Sequence, residues 1–471
     1  MGENRKHIAI IGNGVAGIGA ARHIRKRSDH RITVISDETD HFFSRTALMY
    51  IYMGHMTYEH TKPYEDFFWA KNKIDLLRAR VEKVDVDARQ LALDRPGPNG
   101  DSSLAFDDLV IAAGSTSRMF GWPGQDLDGV QGLYSLPDLE AMERHTQGIE
   151  RAVIVGGGLI GVEMAEMLLS RKIPVTFLVR EGSWMSHILP PEESSMICRQ
   201  LRSHGVDLRL STEMDRIEGD AAGRVRAVVT KDDEEIPCQF LGLTIGVVPN
   251  IDFLDGSGIE TERGVMVNDT LETNVPGIYA IGDCAQVREP QPGRRPVEPL
   301  WYTGRLMGET VARTICGESS AYDPGIWFNS AKFFDIEYQV YGDIKPDPGD
   351  GVESLYWEDP IDAKGRGGEK SIRINFRTDD QTVIGYNVMG IRYRHELCDR
   401  WLREGRKLRF VLENLGAANF DPEIYKEHEA DLVALYNQRF PDQPITLKRK
   451  RGLASLLAVL GRDRRAATRT A

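Results

Sequence analysis

A short apolar, β-branched run that ends directly in a glycine cluster occurs twice in this chain. Ile8–Ile11 precedes Gly12, and Ala152–Val155 precedes Gly156. Each run reads as a strand buried on both faces, and the glycines after it as a tight turn into a helix. A second strand follows each helix, at Arg31–Ile35 in the first copy and Pro174–Val179 in the second. Two βαβ units in one chain predict an α/β fold with two Rossmann-like dinucleotide-binding domains.

The glycine spacing says what those turns do. In Gly12-Asn-Gly14-Val-Ala16-Gly17 the first glycine allows the turn, the second lets a pyrophosphate approach the backbone, and the third lets the helix pack close to its strand. The helix N-terminus then offers unpaired N–H groups and a positive dipole end to the phosphates. Asp37, just past the second strand, can accept hydrogen bonds from ribose hydroxyls. The second motif, Gly156-Gly-Gly158-Leu-Ile160-Gly161, has the same form. After its second strand come Arg180 and Glu181. A carboxylate there favours the free 2′-hydroxyl of NADH, and an arginine the 2′-phosphate of NADPH. With both side by side the choice stays open. A third block, Thr273–Asp283, ends in Gly282-Asp283. An aspartate at a strand end and before a helix can reach a ribityl hydroxyl, and the helix dipole can hold charge on a reduced flavin. One dinucleotide is therefore expected to be FAD and the other NADH or NADPH.

A chain of 471 residues is too long for one core, which stops growing near ~250–300 residues. No apolar stretch reaches the ~20 residues that span a bilayer, and the first strand begins too early to leave room for a signal peptide. The five cysteines form no CxxC pair, which argues against a disulfide framework or a zinc site and fits a cytoplasmic protein. No metal is expected. The net charge of −12 argues against nucleic-acid binding. The C-terminus is the exception: Lys448-Arg-Lys-Arg451 is followed by Leu453, Leu456, Leu457 and Leu460 at helical spacing, then by Arg462, Arg464 and Arg465. That make-up suits a helix on an anionic membrane surface, an oligomer contact or a disordered basic end.

Taken together, these blocks resemble the FAD-dependent pyridine nucleotide-disulfide oxidoreductases. Gly12–Gly17, Leu109-Val-Ile-Ala-Ala113-Gly114, Gly156–Gly161 with Glu163, and the block ending at Asp283 stand in that family's order. Gly246-Val-Val-Pro-Asn250 resembles its Gly-x-x-Pro-Asn segment. The resemblance implies an FAD-binding domain at 1–118 and 245–325, an inserted NAD(P)H-binding domain at 119–244, an α+β interface domain at 326–430 and an extension at 431–471. It assigns Gly12, Gly14, Ala16, Gly17, Asp37, Arg45, Ala113, Gly114 and Asp283 to FAD. It assigns Gly156, Gly158, Ile160, Gly161, Glu163, Arg180 and Gly246 to the nicotinamide nucleotide. Phe43-Ser-Arg45 matches the branch of ferredoxin reductases, nitrite reductase flavin domains and apoptosis-inducing factors.

Two departures narrow the chemistry. No cysteine precedes Cys198, so the family's redox disulfide beside the flavin is missing and thiol or peroxide reduction is disfavoured. The lysine that pairs with the glutamate in many relatives is replaced by Tyr50, while Glu163 is kept. Glu163 and Trp301 are candidates to lie near the isoalloxazine, with a core tryptophan as the other reading of Trp301. Cys284 reads as a small buried residue, and His395 with Cys398 as a helix face. The expected activity is NAD(P)H oxidation through FAD, with electrons passed to a small redox protein or a quinone. The alternative is a flavin-binding redox sensor or assembly factor. A homodimer and a peripheral membrane contact through the tail are further expectations.

Overall fold

The computed structural model describes residues 5–97, 100–361, 365–420 and 427–448. The described parts of Met1–Ser186 and Ile197–Gly325 form one compact unit, and those of His187–Met196 and Ile326–Ala471 a second.

The first unit holds both duplicated motifs. Its first sheet is five parallel strands in the order Ile278–Ala280, Asp108–Ile111, His7–Ile11, Arg31–Ser36, Ile74–Arg78. The second is again five parallel strands, Asp207–Leu210, Val175–Val179, Ala152–Val155, Phe240–Leu243, Val130–Gln131. The edge strand Ile278–Ala280 of the first sheet comes after the whole second sheet in sequence, so the second fold is inserted into the first. The chain crosses between them on two short strands, Ser115–Ser117 and Val247–Pro249, which pair antiparallel. Ile8, Ile10, Val110, Val153 and Ile154 are fully buried, as strands covered on both faces must be. Each such side chain contributes roughly 1.5–3 kcal/mol.

Glycine also sets a close helix contact. Helix Val15–Arg27 packs on helix Trp301–Ile315. A side chain on Gly308 would sit 2.5 Å from the Ala16 carbonyl oxygen, so only hydrogen fits there.

A helix directly after Asp283 is not what forms. Gly282–Cys284 is one 3₁₀ turn, followed by strand Ala285–Val287 and a loop with Pro290, Pro292, Pro296 and Pro299. Proline lacks the N–H that a helix interior needs, so the helix is delayed to Trp301.

The second unit is α+β. Its antiparallel sheet runs Phe328–Phe333, Ile336–Gly342, Val383–Met389, Ser371–Arg377, Val352–Glu358. Ile372, Ile374, Phe376, Tyr386 and Val388 share a core with Trp401, Val411 and Leu432 of the three helices His395–Arg403, Leu408–Glu413 and Glu429–Arg439. The alternate residues Arg373, Asn375 and Asn387 are buried as well, and they are polar. Arg373 donates from Nε and Nη2 to the two carboxylate oxygens of Glu193, at 2.7 and 2.9 Å, and Nη2 also reaches Glu192 at 2.7 Å. Asn387 donates to Glu193 at 3.2 Å. The Glu193 side chain is 0% exposed.

Among the described residues no helix is long and apolar enough to cross a membrane. The basic amphipathic segment read at 448–465 lies outside them except for Lys448, which pairs with Glu413 at 2.7 Å.

Candidate functional site

The three glycines of the first loop are not equivalent. Gly12 has φ +108, and a side chain on it would meet the Ala112 carbonyl oxygen at 2.1 Å. A side chain on Gly17 would meet the Gly12 carbonyl oxygen at 2.1 Å. Both are demanded by the protein's own packing. Gly14 has φ −71 and ψ −177, which any residue adopts, and no atom lies within 4 Å of where its side chain would be. Its glycine keeps open space free at the N-terminus of a 13-residue helix. No side chain caps that terminus, so its N–H groups face the opening. Asn13 pins the loop from behind, donating to the Thr39 carbonyl at 2.9 Å. Local spacing carries no sign of that bond.

Two acids follow the second strand, and they divide the work. Glu38 is engaged: Arg45 binds both its oxygens at 2.8 and 2.5 Å, and the Leu136 N–H donates to it at 2.9 Å. Asp37 is exposed and keeps its carboxylate for another donor. Arg45 also donates to the Tyr134 carbonyl at 2.7 Å.

The third block closes on the same place. A side chain on Gly282 would meet the Ala16 methyl at 3.0 Å, and one on Gly304 would lie 3.6 Å from it. Asp283 therefore lies beside the first glycine loop. Gly114 (φ +69) lies three residues past the neighbouring strand Asp108–Ile111, with the half-buried Ala113 before it. The Tyr134 phenol bridges the two blocks. It accepts from the Ser115 N–H at 3.0 Å and donates to Asp283 Oδ2 at 3.0 Å. Burial pushes the Asp283 carboxyl above the usual carboxylate range, and the Tyr134 hydrogen bond opposes that push. Trp301 opens the helix that carries Gly304; it is 40% exposed and edge-on to Tyr302, so it is no core tryptophan.

The second loop repeats the first. A side chain on Gly156 (φ +116) would meet the Thr244 carbonyl oxygen at 2.5 Å, and one on Gly161 the Gly156 carbonyl oxygen at 2.6 Å. On Gly158 the nearest atom would be 3.9 Å away, again at the start of a helix, Leu159–Ser170. Ile160 is half-buried in its first turn. Gly246 (φ +105) faces open space just beyond Thr244. A side chain on Gly157 would be 3.8 Å from Glu181 Oε2, which places that carboxylate against the loop. Arg180 points outward: its side chain is 74% exposed and donates to Glu181 at 2.8 Å.

Glu163, on helix Leu159–Ser170, has no ion pair or hydrogen bond among the described residues. Burial, with Glu166 adding repulsion, pushes its carboxyl up to about 7. The folded protein thus holds this proton more tightly than the unfolded chain does. The penalty is absent while both states are protonated, grows as pH rises through the ordinary value of 4.5, and is complete above about 7. Glu163→Gln should therefore melt higher than the parent, with a gap that widens from pH 5 to pH 8. The expected gain is about 2–4 °C per kcal/mol in calorimetry of the flavin-free protein. A constant gap would remove Glu163 as the titrating group.

No thiol stands at either loop. Cys284 is fully buried against the Ile111 and Ile281 carbonyls, and burial pushes its thiol up to about 11. The described cysteines are all free, and no group of three metal-binding side chains occurs among the described residues.

Two open glycine cradles at helix N-termini, on two parallel sheets of one unit, define a protein that holds two dinucleotides. The family model described as pyridine nucleotide-disulphide oxidoreductase matches residues 6–308, and the chain belongs to that family. Its cofactors are those of the family, FAD and NADH or NADPH. The chain is 32% identical over 313 residues to the biphenyl dioxygenase system ferredoxin–NAD(+) reductase component of Paraburkholderia xenovorans, covering 66% of this chain and 75% of that one. It is 26% identical over 346 residues to the assimilatory nitrate reductase electron transfer subunit of Bacillus subtilis, covering 73% of this chain and only 43% of that protein. The fold matches a NAD-dependent persulfide reductase structure from A. fulgidus with a TM-score of 0.79 at 21% identity, over 92% of this chain and 84% of that one.

Proposed function

We propose that this protein is an FAD-dependent oxidoreductase that oxidises NADH or NADPH and passes the electrons to a carrier, without a redox-active disulfide. The observation that carries this reading is the pair of open cradles at Gly14 and Gly158, each kept clear at a helix N-terminus. The first fits FAD: Gly14 leaves room for the pyrophosphate, Asp37 is free for the ribose, and Asp283 stands beside the loop for the ribityl chain. The second fits the nicotinamide nucleotide through Gly158 and the free N–H groups of Leu159–Ser170. Flavin supplies hydride acceptance and electron release when bound. The protein's own part is to hold the two dinucleotides, to orient them, and to withhold thiols.

Glu181 against the second loop favours NADH. Its carboxylate can accept from a 2′-hydroxyl and repels a 2′-phosphate, while the exposed Arg180 is tied to it. The names of the relatives support a protein carrier as acceptor: one is a ferredoxin–NAD(+) reductase component and one an electron transfer subunit. A homodimer, and peripheral membrane contact through residues 448–465, belong to the same proposal and rest on the sequence.

Stopped-flow reduction of bound flavin tests this reading. The parent should be reduced faster by NADH than by NADPH. Gly158→Val should keep its flavin, reduce at least 100-fold more slowly with either nucleotide (about 2.7 kcal/mol) and respond normally to dithionite. Unchanged nucleotide rates in that variant would move the nicotinamide site elsewhere.

A further inference from the structure

Tyr134 joins three parts of the first site that lie far apart in sequence. Its backbone is fixed by the start of helix Leu136–His145, where Ser135 and Asp138 form a capping box. The Asp138 carboxylate also accepts from the Tyr134 N–H at 2.9 Å. From that anchor the carbonyl takes a hydrogen bond from Arg45, and the Arg45 guanidinium lies 4.7 Å over the ring. The phenol oxygen ends between the Ser115 N–H and Asp283 Oδ2. The other Asp283 oxygen, Oδ1, has no hydrogen-bond partner among the described residues.

We propose that Tyr134 is a positioning residue of the FAD site, holding one Asp283 oxygen so that the other is presented to a ribityl hydroxyl. This rests on the assignment of FAD to the first loop. A carboxylate with one oxygen tied keeps a single orientation, and it accepts best when ionised. The groups facing Asp283 are Tyr134 and Arg45, with Glu38 behind Arg45 and Cys284 next in the chain. Burial raises the Asp283 carboxyl, while the Tyr134 phenol and the Arg45 charge hold it down. Loss of the phenol must therefore move its protonation to higher pH.

The test uses Tyr134→Phe, which keeps the ring under Arg45 and removes only the hydroxyl. Flavin-free protein is titrated with FAD between pH 5 and pH 9, and its melting temperature is recorded without FAD. The variant should melt within a few degrees of the parent. It should bind FAD about tenfold more weakly at pH 7, the scale of one hydrogen bond to a charged group. The acid-side loss of affinity should begin at higher pH than in the parent. In an Asp283→Asn background the same change should cost less than twofold, because the partner is already altered. Tyr134→Gln, which restores a donor, should recover part of the affinity, and it takes the place of Tyr134→Phe if that variant does not fold. An equal loss in both backgrounds with an unmoved pH profile would overturn the proposal and leave Tyr134 a packing residue. Should Gly14→Val bind FAD as the parent does, the assignment of the loop has failed instead.

Discussion

Gly14→Val is expected to purify as a folded, colourless protein. The β-carbon of a valine at this position meets no protein atom within 4 Å, and the backbone angles are ordinary for any residue. The flavin-free variant should thus melt close to the flavin-free parent. The new side chain instead fills the space where a pyrophosphate must approach the N–H groups of helix Val15–Arg27. At least a 100-fold loss of FAD affinity is expected, the loss of about 2.7 kcal/mol, read as flavin absorbance after purification and by titration. Gly17→Ala makes the contrast. Its methyl would fall 2.1 Å from the Gly12 carbonyl oxygen, so it should lose the fold along with the flavin. A yellow Gly14→Val protein with full occupancy would show that the first loop does not hold FAD.

Arg373→Met is expected to cost the second unit about 3–5 kcal/mol, because it leaves Glu193 buried without its partner. Burial already pushes the Glu193 carboxyl upward against the pull of Arg373. Without the guanidinium it should take up a proton at still higher pH, so the loss should be greater at pH 8 than at pH 5. Replacing both partners, Glu193→Leu with Arg373→Met, should restore most of the stability, since no charge is then left inside. Hydrogen exchange in strands Ser371–Arg377 and Val383–Met389 reads the effect locally. Protection unchanged in Arg373→Met would show that the pair adds nothing to that sheet.

The glycine loops were legible because each special position is dictated by geometry that only one residue type satisfies. Gly12 and Gly156 need positive φ, Gly17 and Gly161 need close approach, and all of this is written within six residues. Tyr134 was not legible. Its partners lie 89 residues away at Arg45 and 149 at Asp283, and a tyrosine before a helix has no pattern of its own. The neighbouring Ser135-x-x-Asp138 capping signal could have placed it at a helix start, though not at Asp283. The strand Val352–Glu358 leaves no such mark: it is the sheet edge, with one residue of seven buried, and shows no clean alternation. Glu193 was hidden for the opposite reason. An acidic pair at the first turn of a helix reads as ordinary dipole matching, and its buried partner is 180 residues downstream.

That separation has a consequence for synthesis. At roughly 5–20 residues per second, a ribosome that has made Glu193 needs about 10–40 s more to reach Arg373. Through that interval the segment His187–Met196 has left the first unit and has no sheet to join. Its carboxylate must stay hydrated, so this stretch cannot settle into its final place. The two glycine loops, by contrast, are complete once helix Trp301–Ile315, which packs on the first of them, has emerged, and can take up nucleotide while the remainder is still being made. Nascent chains stalled between these points should then bind flavin while presenting His187–Met196 to proteases, and quality control would meet a loaded but open protein.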